Sequence, residues 1–269
     1  MWEGDVWVAA RAARVGADIV QTGFFQDFET ELKGEVDPVT QVDRDAEQAI
    51  RAVIATHFPH DEILGEEEGG SGDWRRGRVW IVDPLDGTVN FVRRLPQVAV
   101  SVALWRDGQP LVGVIVDVPR NDEYVAVIDQ GATMNGSPIQ VSDTDRMQDA
   151  LVATGFPYDR THHAAAYLKV VEAVMSRTRG TRRFGSAALD LAWVATGRFD
   201  AYWEHGGPAG VKPWDVAAGM LLVTEAGGMF TDSTGDPHNL EAAAFVASNG
   251  NLHEELRAIV ESTMPEHLR

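Results

Sequence analysis

Val79-Trp80-Ile81-Val82-Asp83-Pro84-Leu85-Asp86-Gly87-Thr88-Val89-Asn90-Phe91 is the stretch around which this chain is organised. Four β-forming apolar residues, Val79 to Val82, run directly into two carboxylates, a proline, a glycine and a hydroxyl. Such a run reads as a buried strand that delivers polar groups at its C-terminal end. Pro84 has no N–H for a sheet ladder, so the strand is expected to stop before it, and Gly87 permits a tight bend with close backbone approach. Two aspartates and a threonine are then held on a braced loop, a position suited to chemistry.

Asp83 and Asp86 bring four carboxylate oxygens into one turn, and hard oxygen ligands suit Mg²⁺. Without a cation the two acids repel and one tends to stay protonated. The same residue types also build an ordinary turn at a strand end. On Asp83-Pro84-Leu85-Asp86 alone both readings stand.

The 269 residues are enough for one large domain or two intimate ones with a substantial core. A net charge of −18 and a pI near 4.7 argue against a nucleic-acid partner. Arg75-Arg76 and Arg182-Arg183 are isolated pairs that read as solvated faces. An acidic surface repels anions, so a phosphate site here needs metal to invert its local field. The chain has no cysteine, which excludes disulfides, thiolate metal sites and a cysteine nucleophile. Met1-Trp2-Glu3-Gly4-Asp5 has no basic leader pattern, and no stretch approaches the ~20 apolar residues of a membrane span. A soluble, cytoplasmic protein with no membrane partner is the expectation.

Along the chain, Val8, Val15 and Ile19 predict a helix from about Asp5 to Phe25, with Ala9, Ala12 and Ala17 supporting propensity. Ala46, Ile50, Val53 and Ile54 mark a second helix, with Thr40 and Asp43 at its start as capping residues. The charged stretch Phe58 to Gly70 has the composition of a solvated turn. Val98 to Val127 alternate as an antiparallel meander with a hairpin at Asp107-Gly108, and Asn135-Gly136 marks another turn. From Ala150 onward come a strand and turn at Leu151 to Tyr158 and a helix from Ala164 to Arg177. His162-His163 lack partners at metal-ligand spacing and read as a surface or helix-start pair. An alanine-rich helix runs from Phe184 to Ala195 with Ser186 as N-cap and Gly197 as its stop. Ala201 to Glu204 form a short strand, Asp215 caps a helix opening at Pro213-Trp214, and Met229 to Asp232 start another strand.

Three separated motifs carry a family resemblance. Asp83-Pro84-Leu85-Asp86-Gly87-Thr88-Val89-Asn90-Phe91 resembles the signature of the inositol monophosphatase family. Ile63-Leu64-Gly65-Glu66-Glu67 resembles its Gly-Glu-Glu element, and Pro213-Trp214-Asp215-Val216-Ala217-Ala218-Gly219 its Trp-Asp-x-Ala-x-Gly element. Val39-Thr40-Gln41-Val42-Asp43 is similar to a fourth segment, and the likeness extends from about residue 5 to residue 260. Haloacid-dehalogenase-type phosphatases place a nucleophilic aspartate two residues before the second acid, where this chain has Pro84.

The resemblance implies an α+β fold, a layered αβαβα sandwich shared with fructose-1,6-bisphosphatase. It implies a single catalytic unit over residues 1–269, with an N-terminal α+β half (about 1–145) and a C-terminal α/β half (about 146–269). It also implies a Mg²⁺-dependent phosphomonoesterase with two or three ions per site, held by Glu66, Asp83, the Leu85 carbonyl, Asp86 and Asp215. By the same resemblance Asp43 and Thr88 are implied to orient the attacking water, with Glu67 as a supporting acid. Asp86, Gly87, Thr88, Gly185, Ser186, Ala187, Glu204 and Asp215 are implied to contact substrate. Lys33 stays unassigned, and a longer loop at 205–212 puts substrate preference in question more than the reaction. The implied partner is a small phosphorylated metabolite, with inositol 1-phosphate leading. Histidinol phosphate, fructose 1,6-bisphosphate and 3′-phosphoadenosine nucleotides are alternatives, and a homodimer is implied. A regulatory, protein-binding member with a vestigial site is the non-enzyme alternative.

Overall fold

Side chains of the run from Val79 alternate between two cores: Trp80 and Val82 face one, Val79 and Ile81 the other. This two-sided burial is what an unbroken apolar strand requires. The computed structural model describes residues 3–26, 30–32, 38–70, 72–158, 160–205, 210–237, 240–242 and 244–265. Lys33 and residues 206–209 lie outside them.

Among the described residues, the larger sheet has the order β3 (Glu62–Gly65), β4 (Arg78–Asp86), β5 (Ala99–Arg106), β6 (Gln109–Asp117), β7 (Asp122–Val127), β8 (Gly131–Met134), β9 (Ser137–Pro138). It is antiparallel except for β3, which runs parallel to β4 with Gly65 opposite Val82. The second sheet has the order β11 (Gly180–Arg182), β10 (Leu151–Thr154), β12 (Ala201–His205), β14 (Ala244–Ser248), β13 (Met229–Asp232). A short pair, β1 (Thr30–Leu32) and β2 (Pro38–Thr40), precedes the larger sheet.

Three apolar cores separate five layers. Helices α1 (Glu3–Gly23) and α2 (Gln41–His57) pack on the Trp80 face of the larger sheet. Helices α5 (Ala187–Ala195) and α6 (Pro213–Glu225) fill the space between the two sheets, with Ile81, Ala103, Tyr202 and Phe245 around them. Helices α4 (Arg160–Met175) and α7 (His253–Thr263) cover the outer face of the second sheet through Val170, Val174, Leu256 and Val260. The result is an αβαβα sandwich of mixed sheets flanked by helices. None of the described helices is long and apolar enough to cross a membrane.

The first helix stands where its spacing predicts. In α1 the buried stripe is Val8, Ala9, Ala12, Ala13, Ala17 and Val20, while Val15 and Ile19 are only partly buried. Small residues win this face because α1 lies closely against both α2 and the sheet. One local expectation, at Pro84, is corrected. Strand β4 does not stop at Val82 but continues to Asp86, with a register shift between Asp83 and Asp86. The irregularity falls where a residue without an N–H can be accommodated.

Candidate active site

The shift in β4 changes how its acids are presented. Asp83 pairs with Ser101 and Asp86 with Ala99, so Pro84 and Leu85 lie opposite the single residue Val100 and one residue is extra. Asp83 Oδ1 accepts the Leu85 N–H at 2.9 Å and closes that bulge. Gly87 then adopts φ +93°, and a Cβ there would lie 2.8 Å from the Gln97 carbonyl. Only glycine enters this turn without strain. Thr88 opens the short helix α3 (Thr88–Val92), whose Asn90 side chain donates to Gln97 O at 2.9 Å and Phe184 O at 2.8 Å. Asn90 thus ties the end of β4 to the segment before α5.

Asp86 reaches the same segment. Its Oδ2 accepts Ser186 Oγ at 2.6 Å and the Ala188 N–H at 2.7 Å. This corrects the sequence expectation for Ser186, which occupies the N-cap position but makes no capping bond of its own. A carboxylate from another layer takes the helix N-terminus, where negative charge is favoured. Gly185, with φ +80°, precedes it, and its carbonyl approaches Gly87. Asp215 is the third residue of α6, and its Oδ2 accepts the Lys212 N–H at 2.6 Å.

Oxygens of Asp83, Asp86 and Asp215 all lie within 4.8 Å of one another. Burial pushes Asp83 well above the usual carboxylate range, and the Glu66, Asp86 and Asp215 charges push it further. Burial likewise raises Asp215, helped by Asp86 and Glu66. Burial raises Asp86 to about 6, against hydrogen bonds from Ser186, Ala188 and Ala187 and the charge of Arg183. A buried, all-oxygen, mutually repelling donor set fits a hard divalent cation.

Glu66 joins this cluster from the end of β3, its N–H donating to Val82 O at 3.2 Å. The Glu67 N–H donates to Glu47 Oε2 at 2.7 Å. Thr88 Oγ1 lies 3.2 Å from Asp43 Oδ1 and 3.1 Å from the Leu85 carbonyl. Asp43 is fully buried, and its Oδ2 accepts the Thr40 N–H at 2.9 Å in the capping box of α2. Asp43 and Asp215 therefore each cap a helix while facing the β4 turn or its acids.

Glu204 lies on β12. The Tyr202 hydroxyl donates to its Oε2, and a Cβ at Gly155 would overlap its carboxyl group. Burial raises Glu204 to about 7, with Asp86 adding to the rise while Tyr202 and Arg183 oppose it. Several neighbours were not singled out from sequence. Asp190 is 1% exposed, and burial followed by the Glu204 and Asp86 charges raises it well above its usual range. Its signal was available, as a carboxylate inside the apolar helix Ala187–Ala195. Arg183 is exposed, as read, yet its charge reaches Asp86, Asp190 and Glu204. Gly155, Tyr202 and Glu47 had no local signal.

Residues 4–264 match the model of the inositol monophosphatase family. An inositol-1-monophosphatase of Rhizobium meliloti is 42% identical over 248 residues, covering 90% of each chain. The Nus factor SuhB of Pseudomonas aeruginosa is 38% identical over 273 residues, covering 97% of each. The crystal structure of the extragenic suppressor protein SuhB of Bartonella henselae superimposes with a TM-score of 0.90 at 34% identity, covering 96% of this chain and 99% of that one. This chain belongs to the inositol monophosphatase family, whose members are metal-dependent phosphatases acting on small phosphorylated substrates.

Proposed function

We propose that the chain hydrolyses a small polyol or sugar monophosphate in a Mg²⁺-dependent reaction, with inositol 1-phosphate as the leading substrate. The observation that carries this reading is the convergence of Asp83, Asp86 and Asp215 beside the Thr88–Asp43 pair. Glu66, Asp83, the Leu85 carbonyl, Asp86 and Asp215 would hold the metal. When bound, Mg²⁺ supplies Lewis-acid activation of water and charge stabilisation for the phosphoryl group and departing alkoxide.

The protein's own groups do the orienting. Thr88 has one hydroxyl proton and two acceptors in reach, Asp43 Oδ1 and Leu85 O. Giving the proton to Asp43 leaves a lone pair on Oγ1 to accept from the attacking water and aim it. Glu67 is the supporting acid. The N–H groups of Gly87 and Thr88 stand at the head of a positive-φ turn and are suited to phosphate oxygens. Gly185, Ser186, Ala187 and Glu204 line the alcohol side, where a carboxylate accepts hydrogen bonds from ring hydroxyls.

The test is phosphate release from inositol 1-phosphate, histidinol phosphate, fructose 1,6-bisphosphate and a 3′-phosphoadenosine nucleotide, each with Mg²⁺ and with chelator. Release from the inositol ester that vanishes with chelator supports the reading, and no release from any substrate removes it. The Nus factor name of the 38% identical relative favours a second reading, in which the chain also serves as a protein-binding factor. Variants of Asp83 separate the two, since a binding role does not need that carboxylate.

A further inference from the structure

We propose that Glu47 is a positioning residue that sets the Glu66–Glu67 turn for metal binding, so that one face of α2 holds both that turn and the Thr88 turn. The inference rests on the metal-binding role given above to Glu66. Glu47 follows Asp43 by four residues, which places both on the same face of the helix. Both are 0% exposed. Asp43 reaches the Thr88 hydroxyl, whereas Glu47 reaches the main chain just after Glu66.

The carboxylate of Glu47 is spent almost wholly on that segment. Oε2 accepts the Glu67 N–H at 2.7 Å, and Oε1 accepts the Glu68 N–H at 3.0 Å. Arg51, one turn further along α2, donates Nε to Oε1 at 2.8 Å and Nη2 to the Gly69 carbonyl at 2.5 Å. The pair therefore holds two consecutive N–H groups and one carbonyl of the turn that carries Glu66. A helix-stabilising ion pair four residues apart is ordinarily a surface feature. Here the acid is sealed from water, and its remaining acceptor positions point at main-chain amides beside a metal-side acid.

Gly65 supplies an independent observation. A Cβ at Gly65 would overlap Glu47 Oε1 and lie 2.8 Å from Arg51 Nη2. Gly65 is not among the positive-φ glycines, so alanine is compatible with its backbone. What the glycine provides is room for the clamp. Its N–H donates to Gly69 O at 3.0 Å, which closes the turn that Glu47 and Arg51 grip. Groups that orient metal ligands from behind change metal affinity by about tenfold to a hundredfold when removed.

The test measures Mn²⁺ binding to the purified full-length protein without substrate, by calorimetry or by the resonance of free Mn²⁺. Glu47→Gln keeps the shape but turns an amide donor towards main-chain N–H groups. Gly65→Ala keeps the Glu47 charge and displaces it. Both variants are expected to weaken Mn²⁺ about tenfold to a hundredfold. Amide exchange at residues 67 and 68 should quicken while exchange in β5 and β6 stays unchanged. Activity should recover at high Mg²⁺, with the half-saturating concentration shifted rather than kcat. A folded variant of either kind that binds Mn²⁺ within twofold of the unmodified protein overturns the proposal. So does failure of both variants to fold, which would make the clamp a folding element only. If the unmodified protein itself binds no Mn²⁺, the metal-site reading is what falls.

Discussion

Thr88 Oγ1 stands 3.2 Å from Asp43 Oδ1, so the turn after β4 and the first turn of α2 share a hydrogen bond. Thr88→Val keeps the volume and removes the hydroxyl. If this pair aims the attacking water, kcat should fall about 10²- to 10⁴-fold with KM little changed. The stability cost should be about 1 kcal/mol, the order of one hydrogen bond. Steady-state kinetics with thermal unfolding checks both, and an unaltered kcat counts against the role of Thr88.

Asp83→Asn and Asp86→Asn should each reduce Mg²⁺-dependent phosphate release to background while the fold survives. In chelator, Asp83→Asn should melt at or above the temperature of the unmodified protein, because it removes one of several buried, repelling charges. A colorimetric phosphate assay beside a melting curve tests this. Full activity in either purified variant would sink the assignment.

The same acids set a pH dependence. Below about pH 4 they are protonated in folded and unfolded chains alike, and contribute nothing to the difference. As pH rises, the unfolded chain releases protons that the folded chain keeps, so the folded state binds more and stability falls. For Asp86 the fall runs from about pH 4 to about 6, and Asp83 and Asp215, held by burial well above the usual carboxylate range, act in the same sense. Buried His253 acts in the opposite sense, since burial lowers its pKa and stability rises as the unfolded imidazole loses its proton. Comparing the unmodified protein with Asp86→Asn cancels the histidine. The variant should show a shallower loss of melting temperature between pH 4 and 6 in chelator, and identical slopes would refute the assignment.

Glu204→Ala should lower activity less than loss of a cluster acid, and act mainly on the choice among substrates. Gly155→Ala should give the same shift in preference, because its Cβ would displace the Glu204 carboxyl. Ratios of kcat/KM over the four phosphate esters provide the measurement. Opposite shifts from the two variants would separate Gly155 from Glu204.

Much of the fold was legible in advance. Val79 to Val82, the hairpins at Asp107-Gly108 and Asn135-Gly136, and the stripe through Ala46, Ile50 and Ile54 all carry local periodicity or turn chemistry, and these elements stand where the pattern put them. The misplaced strand end has a local reason too. Pro84 argued for a break, and the sheet absorbed it as a register shift. In α1 the face against α2 and the sheet is built from Val8, Val20 and four alanines, with Val15 and Ile19 at its margin.

By itself, the sequence determined that an apolar strand ends in two acids and a threonine, that further acids recur in a recognisable order, and that cysteine chemistry is impossible. Tertiary structure alone decided which of these groups meet. A serine before a helix has the same capping propensity wherever it lies, yet Ser186 yields its helix to Asp86 because the layers bring β4 against α5. Glu47 reads as an ordinary helix residue until packing seals it beside the site, and Asp190, conspicuous as an acid in an apolar helix, gains its charged neighbours only there. Propensity and periodicity are short-range properties of the chain, whereas the field at a buried carboxylate depends on partners far along it, and only folding sets those distances.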